Sequence, residues 1–216
     1  EVFPWWSPDG KYLYYASARF VRKDTIENLD NETILRYKEI KYNLFRRSFD
    51  PASRRIGPPE LVFDAAALGK SATLPRISPD GHYLMFTLGE FGVFHIWHKD
   101  ADLYLMDLRT RQVRPMTEIN SDDVESYHSW SSNGRWVVFS SRRYDGNYTR
   151  PFIAYIDKDG KGRKPFELPQ EVPDMHRRFM RSYNIPEFMD GPVEVTPQEF
   201  ASLIRGTEAR PARQRN

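Results

Sequence analysis

Cysteine is absent from the 216 residues, which excludes disulfides and thiolate metal sites but leaves the compartment open. No apolar run reaches the length of about 18 residues that a membrane-crossing helix needs. An excess of one charge is missing too. The 32 basic side chains face 30 acidic ones, so no sequence-independent attraction to nucleic acid is implied. The small basic surplus lies at the end of the chain, at Arg205, Arg210, Arg213 and Arg215. No leader segment is evident, and the chain starts at Glu1 rather than Met, as a processed protein or a part of a longer one would. There is no G-x-S-x-G elbow, no Gly-rich phosphate loop and no H-E-x-x-H pair. A serine-peptidase activity would therefore need a catalytic domain outside this stretch.

Aromatic residues are plentiful at 14%, which suits strands that pack in stacked sheets. They are also ordered. Tyr127 to Arg143 reads YHSWSSNGRWVVFSSRR, two short apolar strands around Asn133-Gly134. Asn-Gly between apolar runs predicts a hairpin with a type I′ turn, because both residues tolerate positive φ. The pattern occurs three times, as PWWSPDGKYLYYAS from Pro4 and PRISPDGHYLMFTL from Pro75, with turns at Asp9-Gly10 and Asp80-Gly81. A hairpin that recurs in one register is a repeat unit.

A second marker fixes the register. The third strand of each unit ends in RSFDPASRR, YLMDLRTRQ or AYIDKDGKG, with Asp50, Asp107 and Asp157 in equivalent places. Asp there caps the turn through its side chain. Between the hairpins, strands are predicted at Asn43 to Phe49, Glu60 to Phe63, Leu103 to Leu108, Arg114 to Thr117, Phe152 to Ile156 and Lys164 to Leu168. Residues 18 to 41 form an excursion with a helical turn around Glu32 to Glu39. Each unit thus has four hairpin-joined strands whose two faces cannot be buried alone. That is the blade of a β-propeller. The expected fold is all-β, a partial β-propeller of three four-stranded antiparallel blades at about residues 1–66, 67–119 and 120–170.

Trp6-Ser7-Pro8-Asp9-Gly10, Ile77-Ser78-Pro79-Asp80-Gly81 and Trp130-Ser131-Ser132-Asn133-Gly134, each followed by an aromatic-aliphatic strand, resemble the repeat of TolB-like (WD40-like) β-propellers. Ser140-Ser141-Arg142-Arg143 with Asp145-Gly146 resembles that family's post-strand turn. The third unit departs from the motif with Ser132-Asn133 in place of Pro-Asp. The wording is most similar to the C-terminal half of uncharacterised members from Bacteroidetes-type bacteria. The resemblance covers roughly residues 1–170 and implies an exported protein, periplasmic or associated with the cell envelope. Three blades do not close a ring that takes at least about four, so further blades are expected from the same full-length chain or from another subunit.

The tail, 171–216, is not a blade. One helical stretch is expected over Met175 to Tyr183, before Pro186. Thr196-Pro197-Gln198-Glu199 is a full helix-start signal. That helix should run from 197 to about 205 and stop at Gly206. Its stripe of Phe200, Leu203 and Ile204 is expected to dock on a blade or a partner, and the basic end beyond it to be disordered.

In a four-stranded meander the first-to-second and third-to-fourth turns lie at one end of the sheet. The second-to-third loops and the blade-to-blade linkers lie at the other. Here the long segments (18–41, 64–73, 89–100, 118–126) all belong to the second group, and function concentrates where loops are elaborated on a rigid scaffold. Two clusters fall there. Asp122, Asp123, Glu125 and His128 have oxygen-rich spacing that would suit a divalent cation, held for instance by Asp122, Asp123 and His128; the plainer reading is a solvated polar linker with caps. His95 and His98, flanking Trp97, would suit zinc with a third ligand, or an aromatic plug on the neighbouring blade. Arg142, Arg143 and Arg150 would clamp an anion, or pair with Asp145 or Asp123. No cofactor is expected beyond such a cation, and no catalytic residue is assigned.

The leading reading is a non-catalytic scaffold that engages a protein or cell-surface ligand through its long-loop end. The alternative is the propeller domain of an envelope enzyme, hydrolase, peptidase or metal-dependent, whose catalytic part lies elsewhere.

Overall fold

The computed structural model describes residues 1–19 and 29–206. It contains three four-stranded antiparallel sheets, each a sequential meander, and together they are three blades of a β-propeller. Blade 1 holds β1 (Val2–Trp6), β2 (Tyr12–Ser17), β3 (Asn43–Asp50) and β4 (Arg55–Phe63). Blade 2 holds β5 (Ser71–Ile77), β6 (Tyr83–Gly89), β7 (Asp102–Asp107) and β8 (Val113–Pro115). Blade 3 holds β9 (Glu125–Trp130), β10 (Trp136–Ser141), β11 (Arg150–Tyr155) and β12 (Phe166–Glu167). The innermost strands lie side by side, with β5 packed between β1 and β9.

The β1–β2, β5–β6 and β9–β10 hairpins are built on one hydrogen-bond cassette. Ser7, Ser78 and Ser131 each donate a hydroxyl to the residue two places on, Asp9, Asp80 or Asn133, at 2.6, 2.6 and 2.8 Å. The same carboxylate or amide oxygen accepts from the backbone of Lys11, His82 or Arg135. The serine oxygen accepts from the backbone of Tyr12, Tyr83 or Trp136. Gly10, Gly81 and Gly134 alone take positive φ in these turns, at 68°, 73° and 65°. Asn133 does not, so the expected type I′ turn is corrected. Ser131 and Trp136 close a four-residue loop, and Gly134 N–H donates to Ser131 O, as in a type I turn followed by a left-handed glycine. Such a turn accepts proline at its first central position, which is why Pro8, Pro79 and Ser132 are interchangeable there. At the other hairpins Asp50, Asp107 and Asp157 accept from Ala52, Arg109 and Asp159 N–H.

Alternation along the second strand of each blade sorts its faces. Leu13 and Tyr15, Leu84 and Phe86, Val137 and Phe139 form what we call the leading face. Tyr12 and Tyr14, Tyr83 and Met85, Trp136 and Val138 form the trailing face. The cores lie where a trailing face meets the next leading face. Tyr14, Ala16 and Leu44 meet Leu84, Phe86 and Leu88. Met85, Leu103 and Leu105 meet Val137, Phe139 and Phe152. Phe86 and Phe139 are fully buried, so truncating either to Ala would cost about 3–5 kcal/mol.

Each innermost strand carries a bulge at a bulky residue in the left-handed region: Phe3, Leu74 and Tyr127, at φ 54°, 55° and 49°. Pairing slips at these places, between Val2 and Trp5, Thr73 and Arg76, and opposite Val138 to Ser140. Such a bulge bends the strand and strengthens its twist, here next to the axis. No sequence signal announces it, because left-handed backbone is read from Gly and Asn.

Several element boundaries depart from the sequence reading, most of all in β4, the excursion and the tail. β4 begins at Arg55 and includes Pro58 and Pro59, tolerated because β4 is the outermost strand of its sheet. The excursion holds α1 (Leu29–Leu35) and a 3-10 turn at Tyr37–Glu39, while residues 20–28 lie outside the described residues. In the tail, α2 covers only Met175–Arg178. Phe179 is already extended, and Tyr183 N–H donates to Thr149 O, so docking on blade 3 wins over continued helix. The last helix, α3 (Pro197–Gly206), starts with a capping box in which Thr196 N–H donates to Glu199 Oε2 and Glu199 N–H to Thr196 Oγ1. Phe200, Leu203 and Ile204 are 53, 69 and 72% exposed. The basic end, 207–216, lies outside the described residues.

Candidate functional site

The long-loop end of the three blades carries a belt of aromatic rings and cations. In the excursion, Tyr37 sets its ring edge-on to Phe91 at 5.6 Å. Its hydroxyl accepts from Val93 N–H at 3.2 Å. Gly92 makes this fit: its φ is +69°, and a Cβ there would lie 2.2 Å from the Tyr37 hydroxyl. Phe91 then meets His98 at 4.5 Å, and Lys38 and Lys41 stand over its face at 5.9 and 5.8 Å. Lys41 Nζ also donates to Glu90 O. This joins the loops of blades 1 and 2.

The 3-10 turn at His95–Trp97 lies in the β6–β7 loop of blade 2 and packs Ile96 against Val124 and Tyr127 at the entry to blade 3. Its first two residues are buried, at 1 and 4% exposure, whereas Trp97 is 69% exposed. His95 Nδ1 pairs with Thr73 Oγ1 at 2.9 Å, and His98 meets the His95 ring at 5.5 Å. Burial pushes the His95 imidazole down to about 4, so it is neutral at pH 7. Arg142, from the second-to-third loop of blade 3, lays its guanidinium 4.5 Å from the centre of the Trp97 ring. A large exposed ring is thus held from below by packed residues and from the side by a cation.

The acidic linker is organised differently. Glu125 is fully buried and accepts from Ser121 Oγ at 2.7 Å, Ser141 Oγ at 2.7 Å and Arg143 at 2.9 Å. Burial raises its carboxyl above the usual range, against the pull of Ser121 and Arg143. Burial, with Glu125 nearby, pushes Asp102 up to about 6. His128 sits deeper on β9, fully buried, where burial and the Arg76 guanidinium push its imidazole down to about 3. Asp122 and Asp123 border an open cleft of about 560 Å³ with Lys99, Arg143 and Asp145. Asp122, Asp123, Glu125 and His128 therefore do not converge. Among the described residues no three His, Cys, Asp or Glu side chains gather as a cation site would require. The spacing could not distinguish a ligand set from Glu125 as an internal brace.

The arginines separate as well. Arg143 pairs with Glu125 rather than Asp145 or Asp123. Arg150, 3% exposed, pairs with Asp145 at 3.7 Å and donates to Arg181 O at 2.6 Å. Only Arg142 faces the belt. Tyr37 and the brace formed by Ser121 and Ser141 were not singled out from the sequence; for Tyr37 the clustering of aromatics in the longest loops was the one visible signal.

No family model and no curated protein matches the chain. Solved structures do resemble it. The β-propeller domain of the Trilobed protease from Pyrococcus furiosus aligns with a TM-score of 0.38 at 17% identity, over 75% of this chain and 41% of that one. An oligogalacturonate lyase in complex with manganese aligns with a TM-score of 0.47 at 15% identity, over 75% of this chain and 40% of that one. TolB from Acinetobacter baumannii aligns with a TM-score of 0.28 at 18% identity, over 78% of this chain and 46% of that one. The chain spans less than half the length of each. The likeness is one of propeller architecture and carries no residue role across.

Proposed function

We propose that this propeller is a non-catalytic binding scaffold whose working surface is the long-loop end, centred on Trp97 and Arg142. The observation that carries the reading is the exposed Trp97 ring. Its backbone sits on buried His95 and Ile96, and its face is stacked by Arg142 from the next blade. An aromatic ring presented rigidly beside a cation loses little freedom on binding, the property of an interface anchor. A protein or a cell-surface ligand with an exposed apolar or acidic feature suits it. The envelope location, periplasmic or cell-surface, rests on the resemblance of the three hairpin motifs to TolB-like repeats. No helix among the described residues is long and apolar enough to cross a membrane.

The test is affinity capture from envelope extract with the natural sequence and with Trp97→Ala. Partner recovery should fall at least tenfold in the variant, with unchanged thermal stability. Equal recovery from both proteins contradicts this face.

A further inference from the structure

The position two residues before each cassette serine is held by Trp5, Arg76 and Ser129. Their cross-strand partners Tyr14, Met85 and Val138 are equivalent, so the three stand at one level of the innermost strands, beside the axis. The repeat accepts tryptophan or serine there. Nothing in the fold calls for the arginine of blade 2.

Arg76 also differs from arginines of similar burial. Arg46 meets Glu60 at 2.9 Å, Arg143 meets Glu125 at 2.9 Å and Arg150 meets Asp145 at 3.7 Å. Arg47 and Arg142 donate to carbonyls, Gly57 O at 3.5 Å and Asn147 O at 3.0 Å. Among the described residues the Arg76 guanidinium makes no ion pair and donates no hydrogen bond, and its Nε is buried without an acceptor. A buried donor in that state calls for a reason.

The guanidinium is nevertheless fixed in place. It lies 4.0 Å from the centre of the Trp5 ring on blade 1, and Trp130 Nε1 on blade 3 donates to Arg76 O at 3.2 Å. Stacking occupies one face of a guanidinium and leaves its N–H groups to an acceptor. Beside it His128 is fully buried with the Met85 backbone close by, yet neither ring nitrogen has a hydrogen bond of normal geometry. The carboxylate whose charge reaches Arg76 is that of Glu187, an exposed residue of the tail.

We propose that Arg76 is an anion-binding residue beside the axis, and that its ligand is a small molecule bearing a carboxylate or phosphate oxyanion. Trp5 supports the guanidinium from one face, and its N–H groups are the donors. The flanking inner strands pack on β5 from both sides, which suits a small ligand rather than a folded partner. Glu187 repels such a ligand, so it limits the affinity and contributes no contact. The position lies towards the hairpin-turn end of β5, away from Trp97 and Arg142, and is independent of the long-loop surface.

The test is calorimetric titration of the full-length protein with succinate and with inorganic phosphate, at fixed ionic strength and against sodium chloride. At least one of the two anions should bind saturably, and the tighter one identifies the oxyanion. Arg76→Gln should weaken that binding about tenfold or more, Arg135→Gln on the exposed turn should leave it unchanged, and Glu187→Gln should tighten it. In the natural protein the Arg76 side-chain N–H resonances should shift during the same titration, which decides the matter even if Arg76→Gln does not fold. No saturable binding, binding matched by chloride, equal binding by Arg76→Gln, or unmoved Arg76 resonances would each overturn the proposal. So would weaker binding by Glu187→Gln, which would make Arg76 and Glu187 a structural pair.

Discussion

Glu125 and Arg143 form an ion pair 2.9 Å long in which the carboxylate is fully buried and the guanidinium nearly so. The pair ties the linker entering β9 to the loop leaving β10. Arg143 reaches further, donating to Ile119 O at 2.8 Å and resting 4.4 Å from the Phe152 ring. Removing one partner of such a pair leaves an uncompensated buried charge. Arg143→Met should lower stability in urea unfolding by about 3–5 kcal/mol, and the double variant with Glu125→Gln should recover part of that loss. Additive losses from the two substitutions would show that the pair is not coupled.

The three hairpins differ at one informative place. Pro8 and Pro79 stand where blade 3 has Ser132. The common cassette means that proline fits there without strain, and its fixed φ restricts the unfolded chain. Ser132→Pro should raise stability by about 0.4–1 kcal/mol. Gly81→Ala, at φ +73°, should lower it by about 1 kcal/mol or more. Both are read from shifts in the urea midpoint, and a destabilising Ser132→Pro would show that the third turn differs from the other two.

These turns show how much of the fold the sequence carries. Ser, Asp or Asn, and Gly at fixed offsets specify the cassette directly, so the hairpins, the blade count and the strand order are legible. The type of turn is not, because Asn133-Gly134 gives the same local signal in a two-residue or a four-residue loop. The choice lies in the Ser131–Trp136 closure. The site was less legible for a related reason. Glu125, His128 and Asp122 are close in sequence, but β9 is extended and bulged at Tyr127. Its residues therefore separate into a braced carboxylate, a buried imidazole and an open cleft.

Two imidazoles make stability depend on pH. Burial holds His128 at about 3 and His95 at about 4 in the fold, against about 6.5 in an unfolded chain. A depressed pKa means that the unfolded state binds protons first, so the contribution is complete above about pH 6.5 and is lost as pH falls towards 3. Asp102, pushed up to about 6, acts in the opposite direction between about pH 6 and 4. Urea midpoints at pH 7 and pH 5.5 should fall more for the natural protein than for His128→Leu, each compared with its own pH 7 value. Equal falls would mean that His128 is not titrating out of the fold.

The capping box on α3 provides a local check. Thr196→Ala removes the side-chain acceptor for Glu199 N–H and should cost that helix about 1 kcal/mol. The loss should appear as faster amide exchange over Pro197–Gly206, with exchange in the blades unchanged. Slower exchange in the variant, or equal loss of protection in β6, would contradict an autonomous helix cap.

We propose the long-loop end, through Trp97 and Arg142, as the surface that binds. The most direct measurement is partner recovery from envelope extract by three proteins: the natural sequence, Trp97→Ala, and His82→Ala on the hairpin-turn end. The natural protein and His82→Ala should recover the same partner, and Trp97→Ala should lose it. Loss with His82→Ala and full recovery with Trp97→Ala would place the binding surface at the opposite end of the blades.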